Sequence, residues 1–204
     1  MPATSLDDLY SQKLQLLLDA EHQGLDAIPQ LAQAVRDPKL RDALQQHRRE
    51  SEGHVQRLQQ LIDANRHGSR NEECTSMRAL IQEAQRTLQK LQDPDTIDAF
   101  VIGAQQAIEH HEIAAYGTVH AWAEELGRDD DARILHQTLD EERHADEQLS
   151  MIAERRVNER AAQGADREVE LERGREADRS SRGTSARDAG RLTDVDVQRG
   201  ADMR

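Results

Sequence analysis

Aromatic side chains are almost missing from this chain: one Phe, one Trp and two Tyr make up 2% of 204 residues. A β-sandwich or barrel draws on aromatic and β-branched strands broken by frequent turns, and 11 Gly with 4 Pro supply few such turns, so helix is the expectation. Cysteine occurs once, as Cys74, which excludes an internal disulfide and leaves the fold to be held by packing or by metal. No stretch approaches the roughly 18 consecutive apolar residues that cross a bilayer, and the N-terminus lacks the basic-then-apolar order of a signal peptide. A soluble, cytoplasmic protein without membrane contact is expected. Positive charge is also in deficit, 27 Lys and Arg against 40 Asp and Glu for a net charge of -13, which disfavours nucleic acid and anionic lipid as partners. The surplus carboxylate is free to serve cations.

The length fits one ordinary domain and a tail. From Ala161 to Arg204 the chain carries ten acidic and nine Arg residues among Gly, Ser and Asp, with few large apolar side chains, and all nine histidines precede residue 145. Such a segment cannot bury enough surface to order itself, so residues 161–204 read as a disordered tail and residues 1–160 as the folded domain. Breaks at Asp37-Pro38, Arg66 to Ser69, Asp93-Pro94-Asp95 and Gly127-Arg128-Asp129 divide that domain into five helical patterns, about Ser5–Val35, Pro38–Asn65, Thr75–Leu91, Asp95–Leu126 and Asp129–Val157. Pro29 should kink the end of the first. Four of the patterns are long enough to span about 40 Å at 1.5 Å per residue, and the third is a short helix inside a long connection. Two antiparallel hairpins joined by a crossover, the layout of a ferritin-like four-helix bundle, follow from that order.

The apolar stripes fail near the midpoint of each long helix. Glu21 stands between Leu17 and Leu25; His47, Glu50 and His54 fill the register between Leu44 and Leu58; Glu109 and Glu112 separate Ile102 from Tyr116; Glu142 and Asp146 separate Leu139 from Leu149. Residues three or four apart share a helix face, so Glu50 with His54, Glu109 with Glu112, and Glu142 with Asp146 can each grip one object. A lone glutamate on so charged a helix is ordinarily solvated. Four coincident midpoints are harder to dismiss: six carboxylates gathered in a core without a cation would cost several kcal/mol each, order of magnitude, and would raise one another's pKa. Two divalent cations offset most of that charge, and carboxylates with an imidazole suit iron, or alternatively manganese, better than thiolate-seeking metals.

At these residues the chain resembles the YciE/YciF family of bacterial stress-associated proteins, which have a rubrerythrin-like, ferritin-like bundle. The resemblance covers about residues 5 to 157 and is carried by Leu9-Tyr10 with Ala20-Glu21, by His47 to Leu58, by Gln105 to Gly117 with Trp122-Ala123, and by Thr138 to Leu149. It implies a carboxylate-bridged dinuclear metal site at Glu21, Glu50, Glu109, Glu112 and Glu142, with His54 and Asp146 as fourth-residue partners. Ferritin-like sites commonly show Glu-x-x-His on two helices; here the second helix offers Glu50 and His54 instead. The fifth contains a literal Glu141-x-x-His144, but the phase of Leu135, Leu139 and Leu149 favours Glu142 and Asp146, with His144 the main rival.

Tyr10 and Tyr116 fall on core faces, where packing with a satisfied hydroxyl is the ordinary role and a hydrogen bond to a ligand the functional one. His47 would orient a ligand from one turn away. His22, His110 and His111 are expected at the surface or an interface, Trp122 in the core or a subunit contact, and Cys74 without chemistry. No Gly-rich phosphate loop or Ser-His-Asp pattern is present. The expected function is therefore a dinuclear iron or manganese protein of the stress response, an oxidoreductase handling peroxide or dioxygen, with metal sequestration or an oligomeric scaffold as the alternative. A homodimer or larger homo-oligomer is expected because Val119 and Trp122 suggest a second face to cover.

Overall fold

The computed structural model describes residues 4–64, 72–164 and 173, and among these the regular structure is entirely helical. Helices α1 (Leu6–Ala34), α2 (Pro38–Ala64), α3 (Thr75–Leu88), α4 (Pro94–Glu125) and α5 (Asp129–Ile152) are followed by a π-helical turn over Ala153–Val157. The chain divides into a unit of residues 1–161 and a second of residues 162–204. The tail expected to be disordered lies almost wholly outside the described residues, as does the break at Arg66 to Ser69.

Local chemistry sets the helix ends. Ser5 and Asp8 form a reciprocal capping box at the start of α1, satisfying two backbone donors that a helix N-terminus leaves open. Asp93 caps α4 through the Thr96 N–H at 2.8 Å, with Pro94 in the first turn where a missing N–H costs nothing. Gly127 ends α4 at φ 67°, with Gly127 N–H bonded to Glu124 and Arg128 N–H to Ala123, a pairing that only a left-handed residue permits. Pro29, expected to kink α1, sits exposed within it, and the helix continues to Ala34.

Apolar side chains collect in two layers. Tyr10, Leu14 and Leu17 of α1 pack with Leu58 and Leu61 of α2, Tyr116 and Val119 of α4, and Leu135 and Leu139 of α5. Ile28 and Leu31 pack with Leu40 and Leu44, Val101 and Ile102, and Leu149 with Val157. Early residues of α1 thus meet late residues of α2 and α4 and early residues of α5, so each of these helices runs antiparallel to its two neighbours. The connection from α2 to α4 must travel the full helix length, and α3 makes that journey on the α1/α4 side. Met77 and Cys74 there pack with Ala20 and Ile108.

The corners of the unit are tied by polar groups. Tyr10 Oη donates to Asp131 at 3.0 Å while the Arg128 guanidinium lies 4.9 Å from its ring centre. At the other end, buried Asp98 accepts from the backbone N–H groups of Arg36 at 2.7 Å and Asp37 at 3.0 Å, fixing the α1–α2 turn from α4. Val119, expected at a face for a second subunit to cover, is fully buried within the chain, and Trp122 packs against the same core.

Candidate metal centre

Between the two apolar layers lies a layer made almost entirely of polar side chains. Glu21 from α1, His47, Ser51 and His54 from α2, Gln105, Glu109 and Glu112 from α4, and Glu142 from α5 are all buried, with His54, Glu109 and Glu142 fully so. Each takes its place because the 3.6-residue period of its helix continues the core stripe through it. Along α2 the buried positions run Leu40, Leu44, His47, Ser51, His54, Leu58, Leu61, in alternating steps of four and three.

The donor atoms of His47, Glu109, Glu112 and Glu142 lie within 4.8 Å of one another, and so do those of Glu21, His54 and Glu142. Glu142 belongs to both groups. His54 Nδ1 is 3.1 Å from Glu21 Oε1 and 2.9 Å from Glu142 Oε1. Its Nε2 lies 2.9 Å from Glu141 Oε2. On the other side His47 Nε2 is 3.3 Å from Glu109 Oε1, while Nδ1 faces Glu142 Oε2 across 3.9 Å. Tyr116 Oη donates to Glu21 Oε1 at 2.6 Å, and the Gln105 amide donates to Glu109 Oε1 at 2.8 Å.

The electrostatics are those of an over-filled anionic pocket. Burial, reinforced by the negative charges of Glu21, Glu142 and Glu109, pushes the Glu112 carboxyl well above the usual range. Burial and the charges of Glu21 and Glu109 do the same to Glu142. His54 moves up as well, because burial, which opposes its charge, is outweighed by its hydrogen bonds to Glu21 and Glu141. At the margin Glu141 moves down: its partial burial is outweighed by Arg57, Gln137 and His54. Glu142 Oε1 and Oε2, Glu109 Oε2 and His47 Nδ1 are buried atoms with no hydrogen-bond partner. A carboxylic proton shared with a neighbouring carboxylate is the remaining way for Glu142 to satisfy an oxygen.

Of the seven residues singled out in the sequence, the structure brings together Glu21, His54, Glu109, Glu112 and Glu142. Glu50 lies beside them, partly buried, its carboxylate accepting from the Gln46 amide at 2.7 Å. Asp146 points to the flank, where Gln106 reaches it at 3.0 Å and His110 at 3.3 Å; Ala145 occupies the inward seat. The rival His144 is exposed and 2.6 Å from the Gln148 amide. His47, expected to orient a ligand, has a donor atom of its own within the cluster; the unbroken four-three stepping of α2 was the available signal. Tyr10 is remote from the cluster and bonded to Asp131, so of the two phenols only Tyr116 touches a candidate ligand. His111 is half-buried, with its Nε2 3.6 Å from Cys74 Sγ, and that contact with the Ser76 hydroxyl outweighs burial and draws the thiol down to about 7.

A family model described as a domain of unknown function, DUF892, matches residues 5–162. The chain belongs to that family. Among curated proteins it is 32% identical over 154 residues to protein YciF of Escherichia coli K12, covering 75% of this chain and 93% of the relative. The crystal structure of YciF, described as an E. coli stress protein, superposes with a TM-score of 0.73 at 32% identity, over 76% of this chain and 99% of that one. YcfI of Rhodopseudomonas palustris, described as "a putative structural protein", gives 0.70 at 34% identity over 72% of this chain and 94% of that one. Among its described residues this DUF892 chain is thus all-helical in the manner of YciF, with no helix long and apolar enough to cross a membrane.

Proposed function

We propose that this DUF892 chain is a ferritin-like four-helix bundle that binds two divalent metal ions, iron or alternatively manganese, and serves in the cytoplasm as a stress protein handling peroxide or dioxygen. One observation carries the reading: Glu142 is shared by two clusters of buried ligand atoms, as a carboxylate bridging two ions would be. The donor set fits. It contains oxygen and imidazole nitrogen but no thiolate, the preference of iron and manganese, and it leaves several buried oxygens and one ring nitrogen without partners. Protein groups alone do not satisfy these atoms; cations would.

In this reading Glu21 and His54 hold one ion, His47, Glu109 and Glu112 the other, and Glu142 both. Glu50 stands one turn from His54 and borders the same layer beside His47 and Glu109, where it would be a further carboxylate for the ions. Asp146 tethers α5 to α4. Two redox-active ions sharing carboxylates supply, when bound, a means of exchanging electrons with peroxide or dioxygen. The protein's own residues arrange what surrounds that chemistry. The Tyr116 hydroxyl and the Gln105 amide fix one oxygen each of Glu21 and Glu109. The apolar layers above and below shield the site, and Glu141, 2.9 Å from His54 Nε2, holds the ring with its Nδ1 facing Glu21 and Glu142.

Metal sequestration without turnover, or a purely structural role, is the second reading, favoured by the description of YcfI and by the absence of any cysteine-pair motif for an electron donor. Metal analysis by mass spectrometry on protein purified without metal-affinity resin tests both. About two iron or manganese ions per chain, lost from a Glu109→Gln/Glu142→Gln variant and accompanied by peroxide or dioxygen consumption, support the first reading. Bound metal without consumption supports the second, and no uptake on anaerobic addition overturns the site.

A further inference from the structure

We propose that divalent cations reach the buried cluster through the crevice between α2 and α5, accepted there by Glu141, from which Arg57 must be displaced. This rests on the metal-binding reading above and adds a route and a gate to it.

The geometry of the two sides differs. On the α1/α4 side the crossover helix α3 covers the cluster, with Met77 fully buried against Ala20 and Ile108. On the α2/α5 side lies an open depression of about 500 Å³ bordered by Glu50, Arg133, His136, Asp140, Glu141 and His144. Carboxylates and imidazoles are the groups on which a hard or borderline cation can rest in passing. Glu50 also lines a small inner cavity of about 10 Å³ with His47, Gln105 and Glu109, so its side chain borders both the outer space and the buried donors. That cavity is about the size of one water molecule.

Glu141 is the other link. Its Oε2 lies 2.9 Å from His54 Nε2, on the ring whose opposite nitrogen faces Glu21 and Glu142, and its side chain is 28% exposed. Arg57 occupies that same oxygen at 2.6 Å and is anchored by the Thr138 hydroxyl at 2.8 Å. A fixed positive charge on the inward-leading carboxylate both repels an arriving cation and competes for its first ligand. Removing the carboxylate should therefore slow entry, and removing the guanidinium should hasten it, with the final load unchanged in both, because neither group is among the clustered donors.

The test uses the full chain stripped with chelator and mixed with manganese(II) alone, followed by loss of the free-ion electron paramagnetic resonance signal, with bound metal measured at equilibrium. Glu141→Gln should slow uptake about tenfold or more, the scale on which local charge alters cation encounter, and Arg57→Gln should accelerate it several-fold. The double variant should be as slow as Glu141→Gln, and all four proteins should reach the same stoichiometry. Because the two single variants are expected to move in opposite directions, loosened folding cannot mimic the result. Equal rates in all four overturn the route, as does slowing by both single variants. A lower final stoichiometry in Glu141→Gln overturns it too, by making Glu141 a ligand. A wild-type protein that takes up no manganese overturns the route and the metal-binding reading together.

Discussion

Replacing Glu142 by leucine should make the metal-free protein more stable, a result opposite to that expected of an ordinary core residue. Glu142 is fully buried, and neither oxygen meets an N–H or hydroxyl donor in hydrogen-bonding geometry, leaving only a carboxylic proton shared with Glu21 or Glu109. An unsatisfied buried polar group costs about 1–3 kcal/mol, and a buried leucine contributes about 1.5–3 kcal/mol. Against this stands the lost attraction to His54, 2.9 Å away, which keeps Glu21 and Glu141 as partners. Removing one partner of a buried pair is destabilising only where it strands the other charge. Here His54 retains two carboxylates and Glu142 leaves a surplus of like charge, so a net gain of about 2 kcal/mol is expected, within the range of about 1–4 kcal/mol seen when whole buried ion clusters are made apolar. In a folded unit of this size that raises Tm by about 4–8 °C. The assay is thermal and urea unfolding, followed by helical circular dichroism, in chelator and then in excess manganese(II). At a hundredfold excess over Kd each of the two ions should add about 2.7 kcal/mol, about 5.4 kcal/mol together, to wild type and nothing to Glu142→Leu. A variant less stable than wild type in chelator by about 1 kcal/mol or more, or equal stabilisation of both by metal, would refute the reasoning.

Three further outcomes follow from the same geometry. In chelator, stability should fall as pH rises from about 5 to 8: Glu112, Glu142 and His54 all hold protons more tightly folded than unfolded, so protons must leave the folded state as their raised pKa values are passed. Urea midpoints across that range check the sign, and metal affinity should rise over the same interval because binding displaces those protons. Tyr116→Phe removes the donor to Glu21 and should cost about 1 kcal/mol in urea unfolding while leaving metal content unchanged. Asp98→Ala leaves the Arg36 and Asp37 N–H groups without their acceptor and should cost about 2–3 kcal/mol in the same assay, with no effect on metal.

Much of this organisation is legible in the sequence because local signals mark it. Ser5, Pro38, Asp93-Pro94 and Gly127 announce helix ends through chemistry confined to one turn, and Glu21, His54, Glu109, Glu112 and Glu142 interrupt leucine stripes whose phase is strong on both sides. Phase is also where reading falters. One residue is about 100° of helix rotation, and Glu50 and Ser51 are adjacent; Leu40, Leu44, Leu58 and Leu61 admit only 47, 51 and 54 into the stripe. On α5 steps of four and three pass from Leu139 through Glu142 to Asp146, yet the small Ala145 takes the inward place, a choice made by the packing of α5 against its neighbours. Pairings between helices leave no local trace. Arg57 meets Glu141 across 84 positions and Asp98 meets the α1–α2 turn across about 60, and neither spacing distinguishes these residues from the many other charges of the chain.

The central claim, two ions sharing Glu142 between the apolar layers, is tested most directly by anomalous diffraction from crystals grown with manganese(II). The account predicts two anomalous peaks about 3–4 Å apart, one between Glu21, His54 and Glu142 and the other between His47, Glu109, Glu112 and Glu142. Anomalous density confined to the surface, or a fully ordered polar layer without a peak, would contradict it.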